Sequence, residues 1–162
     1  MKKKYIIVSL IIIGLVLLDQ ISKFIVVNNF SLGESLILIK NFLKFTYIRN
    51  TGISFGILSN QVFLIVVFTL MIIVFVIKEL INNRNQKLIV VSSILILSGA
   101  FGNLIDRVFR GYVIDFISFT LFKREMAIFN IADIFITFGV LLYIYIIVME
   151  GKNERISSRR KR

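Results

Sequence analysis

Asp19, Asp106, Asp115 and Asp133 stand at the ends of, or between, long uncharged apolar runs in a chain with nine acidic residues in all. An ionisable group at mid-membrane costs roughly 2.5–3.5 kcal/mol on insertion scales, so such groups face protein or a wet cavity and are candidates for function. The chain has no His and no Cys, which removes the usual zinc sites and the Ser/His and Cys/His nucleophile systems. Carboxylates remain as the available acid and base.

Two of the four have the better surroundings for that work. Asp115 in Val113-Ile114-Asp115-Phe116 and Asp133 in Phe129-Asn130-Ile131-Ala132-Asp133 have no adjacent cation and sit among apolar residues. Two carboxyls facing each other in such a place share one proton. One then takes a proton from water while the other protonates or hydrogen-bonds a scissile carbonyl. That is the chemistry of an aspartic peptidase, and it needs neither metal nor cofactor. Asp133 also opens an apolar run, where an Asp satisfies free N–H groups at a helix start, so a capping role stands beside the catalytic one. Asp115 has no comparable explanation.

The other two aspartates read as supports. Asp19 and Lys23 are four apart on an expected helix, share a face and can pair. Asp106 adjoins Arg107 after Gly102-Asn103, and its expected task is to orient Arg107 or a neighbouring polar group. Asn50-Thr51-Gly52 and Gly56 are turn residues by default, with Asn50 also able to offer an amide to a peptide backbone. Gly99, Ala100 and Gly102 point to close helix packing. Ser22 and Lys23 are helix neighbours about 100° apart and cannot form a dyad with each other, whereas Ser54 or Ser118 with Lys23 stays open.

The elements that hold these groups follow from composition. With 162 residues, 57% hydrophobic, and a mean hydropathy of +0.90, the chain is too apolar for a soluble domain of its size. Uncharged runs from Tyr5 to Leu18, Gln61 to Ile77, Leu88 to Ile105 and Ile134 to Met149 predict four membrane spans of about 5–25, 61–79, 88–106 and 132–150. No linker or repeat argues for a second domain. The net charge of +11 belongs to residues flanking the spans, which fits membrane orientation better than nucleic acid.

Basic residues also predict direction. Lys2, Lys3 and Lys4, then Lys78, Arg84 and Lys87, then Lys152, Arg155, Arg159, Arg160, Lys161 and Arg162 place both termini and the middle loop in the cytoplasm. A basic start before an apolar stretch also describes a signal peptide, but the run continues into Asp19-Gln20-Ile21-Ser22-Lys23 without a small-residue cleavage site, so a retained helix is expected. Asp19, Asp106 and Asp133 then converge at the outer face. Leu43, Phe45 and Tyr47 alternating with Lys44 and Thr46 predict a strand in a small outer sheet. The apolar stretches of 112–122 predict a segment lying against the bilayer.

Asp19-Gln20-Ile21-Ser22-Lys23, Asn50-Thr51-Gly52, the run from Gly99 to Arg107, Val113-Ile114-Asp115-Phe116-Ile117 and Phe129-Asn130-Ile131-Ala132-Asp133 together resemble the signal peptidase II (lipoprotein signal peptidase) family over nearly the whole chain. The resemblance implies one integral membrane peptidase domain over 1–162 in the bacterial inner membrane. It would be an all-α membrane protein of four transmembrane helices with a small extracytoplasmic β-sheet and an interfacial segment. Its implied substrates are diacylglyceryl-modified prolipoproteins, cut just before the lipidated cysteine. Membrane lipids are implied partners, and a monomer without metal, cofactor or nucleic acid is expected. Asp115 and Asp133 are the implied catalytic pair. Asp19, Lys23, Asn50, Gly52, Asn103, Asp106, Arg107 and Asn130 are implied supports and substrate-binding groups. Ser98 stands where the family usually has glycine, and Ile53-Ser54 replaces a common pair of alanines.

Two other classes fit the composition less well. A proton- or cation-coupled transporter needs a site open to both sides, and every predicted span is polar only at its outer end. A scaffold in a membrane complex leaves Asp115 and Asp133 without a reason.

Overall fold

The computed structural model describes residues 2–53, 58–122 and 124–160, with side chains for 3–53, 58–122 and 124–149. Ser54 and Gly56 lie outside the described residues, as do the basic side chains from Lys152 onwards. Four helices carry the chain: α1 (Lys2–Asn29), α2 (Val62–Asn82), α3 (Lys87–Arg110) and α4 (Ile131–Arg160). Each has a stretch long and apolar enough to cross a bilayer, namely Lys3–Asn29, Val62–Asn82, Lys87–Arg110 and Ile131–Met149.

α1 outruns its predicted end at residue 25 because Lys23 does not break it. That lysine is fully buried against Asp19 and Asp106, and the apolar face resumes at Phe24, Ile25 and Val26. Asp19 therefore lies well inside the helix rather than at its outer end, with residues 20–29 still helical beyond it.

Between the helices, on one side of the bundle, four antiparallel strands form a sheet in the order β1 (Ser35–Ile39), β2 (Leu43–Asn50), β3 (Val113–Leu121), β4 (Arg124–Glu125). The alternation at residues 43–47 is β2. Leu36 to Ile39, whose short apolar run has no readable period, lies in β1. The segment around Asp115 is β3, hydrogen-bonded to β2 in the register Asn50↔Val113 and Ile48↔Asp115 with an irregularity between Phe45 and Ile48. One face of it packs toward the helices, with Ile114 and Phe116 buried against Val26 and Tyr47. Only its far end, at Leu121 and Phe122, is exposed.

α3 is the hub of the bundle. Ser92, Ser98, Gly99, Ala100 and Gly102 are buried on it, and a side chain at Gly99 would collide with the Ala132 carbonyl of α4, while one at Gly139 would meet Ile96 at 2.7 Å. Small residues let these two helices approach to backbone contact. Ser92 Oγ donates to the Gly139 carbonyl at 2.8 Å, and Ser98 Oγ turns back onto the Ile94 carbonyl at 2.7 Å, so the serine where glycine is usual fits without a clash. α3 ends at Gly111, whose φ of 78° is left-handed and whose N–H caps the Arg107 carbonyl. That glycine turns the chain out of the helix and directly into β3.

Candidate functional site

Asp115 faces a cavity of about 820 Å³ walled by α2, α3, α4 and β3, and Asn50, Asn103, Arg107 and Asp133 line the same space. Strand periodicity puts it there: Val113, Asp115 and Phe119 line the cavity while Ile114 and Phe116 turn to the core. Because Asn50 sits opposite Val113, its side chain is the diagonal neighbour of Asp115 on the same face. Asn50 Nδ2 donates to Asp115 Oδ2 at 2.8 Å, and Asn50 Oδ1 accepts the Gly52 N–H at 2.9 Å. The turn residues thus shape their own loop and hold the carboxylate.

Asp133 reaches the cavity from the first turn of α4. Asn130 Oδ1 accepts the Asp133 N–H at 3.0 Å, and Asp133 Oδ2 accepts the Asn130 N–H at 3.2 Å. This is a reciprocal cap of a helix start. The capping role foreseen for Asp133 is therefore real, and it leaves Oδ1 free to take the Asn103 Nδ2 donor at 2.8 Å.

Asn130 joins the two halves. Its Nδ2 donates to Asp115 Oδ1 at 2.7 Å and to Asn103 Oδ1 at 3.1 Å. Both aspartates are thus bound to one asparagine, which is itself fully buried.

Behind this layer lies a charged one. Lys23 Nζ is 2.8 Å from Asp19 Oδ2, 2.9 Å from Asp106 Oδ2 and 3.0 Å from Asn103 Oδ1. All three of its donors are engaged, so Lys23 is no general base for Ser118, and the Ser22 hydroxyl is spent on the Asp19 carbonyl. Asp19 Oδ1 also accepts the Ala132 N–H at 2.9 Å, tying α1 to the start of α4. Asp106 accepts the Ile114 N–H at 3.3 Å and so anchors β3.

Asp106 does not orient Arg107. Adjacent helical residues point about 100° apart, so Asp106 turns to Lys23 while Arg107 turns to the cavity and donates from NH2 to the Gly52 carbonyl at 2.8 Å. Gly52 is held from both sides by these bonds. Gln20 is the residue that pattern reading passed over. Its Nε2 donates to Asp19 Oδ2 at 3.2 Å and to the Gly102 carbonyl at 3.1 Å. A polar amide inside an apolar helix was the signal available for it.

At the opposite end of the bundle the core is apolar, built by Val8, Ile73, Val76, Leu80, Val90, Ile94 and Leu97.

Burial pushes the Asp115 carboxyl up to about 7, with the charge of Asp133 adding to the rise and the Asn50 and Asn130 hydrogen bonds opposing it. The folded chain then binds this proton more tightly than the unfolded one, whose carboxyl titrates near 3.8. The stability it lends is whole below about pH 4 and is lost as pH rises through about 7. We expect the unfolding temperature of the wild type in detergent to fall from pH 5 to pH 8 by clearly more than that of Asp115→Asn. Equal pH slopes for the two proteins would count against the assignment.

Fold and site together define a class: a multi-pass membrane protein whose paired carboxylates line a cavity at the sheet end of a four-helix bundle, the equipment of an aspartic peptidase. Comparison with known proteins then places it. The family model described as Signal peptidase (SPase) II matches residues 11–149. The lipoprotein signal peptidase of Clostridium tetani is 40% identical over 151 residues, covering 91% of this chain and 96% of that one. Two solved bacterial membrane enzymes superpose with TM-scores of 0.83 and 0.79, each at 35% identity. They cover 90% and 86% of this chain, and 90% and 91% of their own. The chain belongs to the signal peptidase II family of membrane peptidases.

Proposed function

We propose that the protein removes signal peptides from prolipoproteins that carry a diacylglyceryl group on the cysteine following the cut, with Asp115 and Asp133 as the catalytic pair. The observation that carries this reading is the shared cavity of the two aspartates, braced by one asparagine at the sheet end of the bundle. One integral domain over 1–162, monomeric in the bacterial cytoplasmic membrane, accounts for the activity.

Orientation follows the basic residues. Lys3, Lys4, Lys78, Arg84 and Lys87 all lie at the end of the bundle away from the sheet, so that end is cytoplasmic and the cavity opens near the outer leaflet. A lipid-modified signal helix already in the bilayer delivers its cut site to that level. The cavity wall of Ile65, Ile72, Ile136 and Phe138 suits the apolar parts of such a substrate, and Arg107, Asn50 and Asn103 supply the polar contacts.

The dyad divides the labour by environment. Asp133 stands at the positive start of α4 and accepts two N–H donors, the setting of a base, whereas Asp115 is the more deeply buried and holds the proton. Water attacks the scissile carbonyl carbon as Asp133 takes the water proton and Asp115 gives its own to the carbonyl oxygen. The C–N bond then breaks: Asp133 passes its proton to the departing nitrogen, and a hydroxyl proton returns to Asp115. A carboxylic acid and an amine result, and both carboxyls are restored.

β2 and β3 are neighbours in one sheet, so the outer segments contribute to the cavity as a single wall. The test is purified protein in detergent given the same prolipoprotein with and without its diacylglyceryl group. Cleavage of the lipidated form alone is expected. Equal turnover of the unlipidated form would overturn the substrate assignment.

A further inference from the structure

α1 and α2 both lie along α3 but make little contact with each other, which leaves a second crevice on the side of α3 away from the catalytic cavity. It measures about 480 Å³ and is lined by Tyr5, Val8, Ile12, Ile77, Ile81 and Leu97, with Ser9 the one small polar side chain on its wall. α3 separates the two spaces: Ile96 and Ala100 line the catalytic cavity, and Leu97 and Phe101 line this one. The crevice occupies the half of the bundle nearer the chain's start, far from the sheet.

Three features say what fills it. First, the volume is within the range of small-ligand sites, roughly 300–1,000 Å³, and its lining is almost wholly hydrocarbon, so water is a poor occupant. Second, the chain that flanks its lining at the end away from the sheet is cationic. Lys4 lies one turn before Val8, Lys78 follows Ile77, and Arg84 comes just after α2, all three exposed; Lys4 Nζ donates to the Arg84 carbonyl, tying α1 to the α2–α3 turn at this end. Third, the acid described at this end does not compete. Glu79 is turned to Asn83 and Tyr143, on the α4 side.

We propose that this crevice binds one acyl chain of an anionic phospholipid from the leaflet at the basic end, with the headgroup phosphate held by Lys4, Lys78 and Arg84. A slot shaped for hydrocarbon beside exposed cations matches a lipid with a negative headgroup and an apolar tail. A zwitterionic lipid offers the tail without the net charge. Occupancy fills the gap between α1 and α2 and fixes both against α3, so binding stabilises the folded protein by mass action.

The experiment is thermal unfolding of the full chain in a mild detergent, titrated with phosphatidylglycerol or with phosphatidylcholine of the same acyl chains. A saturable rise in unfolding temperature is expected for phosphatidylglycerol and a much smaller one for phosphatidylcholine. The double variant Lys4→Gln/Lys78→Gln should weaken the phosphatidylglycerol midpoint by about tenfold or more, at roughly 1 kcal/mol per cation near an anionic headgroup. Ser9→Phe, which fills the slot from an exposed position, should abolish the saturable rise. Lys40→Gln, an exposed cation at the sheet end, should leave it unchanged. Equal responses to the two lipids, or a midpoint unmoved in the Lys4/Lys78 variant, would overturn the proposal. So would a rise that survives Ser9→Phe, or one that depends on protein concentration as a second copy in the crevice would require.

Discussion

Asp115→Asn and Asp133→Asn will each lower turnover of lipidated prolipoprotein by roughly 10⁴ or more, the scale seen when one member of a catalytic unit is removed. The expectation rests on the proton economy of the pair: an amide in either place can neither take the water proton nor give one to the carbonyl. Because the two act as a unit, the double variant should be scarcely worse than either single one. Folding should survive in both. In Asp133→Asn the new amide keeps a carbonyl oxygen to accept the Asn130 N–H. In Asp115→Asn the amide replaces a buried carboxyl that is 1% exposed and keeps one acceptor for Asn50 or Asn130. Single-turnover cleavage on matched amounts of folded protein is the measurement. Turnover within about tenfold of wild type, about 1.4 kcal/mol in barrier, in either variant would remove that residue from the mechanism.

The second large effect lies one layer back. Lys23→Met will destabilise the protein by about 3–5 kcal/mol, the usual cost of leaving a buried charge without its partner. Here two carboxylates lose one ammonium: Asp19 and Asp106 are both fully buried, at 2.8 and 2.9 Å from Lys23 Nζ. The interaction is tested by rescue. Asp106 keeps a second, weaker partner in Arg110 at 3.4 Å, whereas Asp19 has no other cation among the described ion pairs. Adding Asp19→Asn to Lys23→Met should therefore recover part of the lost stability, with the two substitutions strongly non-additive in thermal unfolding. Simple additivity would mean that Lys23 supports the bundle by packing alone. Asn103 extends the consequence to the aspartate pair, since its Oδ1 accepts from Lys23 and this fixes its Nδ2 toward Asp133.

Much of this protein is written in local pattern. Uncharged runs of span length, the basic residues between them and the absence of His and Cys predict four crossings, their direction and a carboxylate chemistry, because membrane insertion acts on each segment by its own composition. The alternation at Leu43, Phe45 and Tyr47 likewise names a strand before any partner is known. The side chains that share a site are a different matter. Asp106 and Arg107 are neighbours in sequence yet serve different partners, since a helix sends adjacent residues to different faces.

Tertiary structure decided the rest. That Asn50 meets Asp115 depends on a β2–β3 register with an irregularity at Phe45 to Ile48, which no local period reveals. That the segment around Asp115 is a buried strand depends on β2 being there to pair with its backbone, and on Val26 and Tyr47 to cover its inner face. Asn130 reads as a helix start, and only the approach of α3 and β3 makes it the link between both aspartates. Composition and period act within a few residues along the chain, whereas hydrogen bonds between Asn130 and Asp115, or Lys23 and Asp106, exist only once segments 15 and 83 residues apart have packed together.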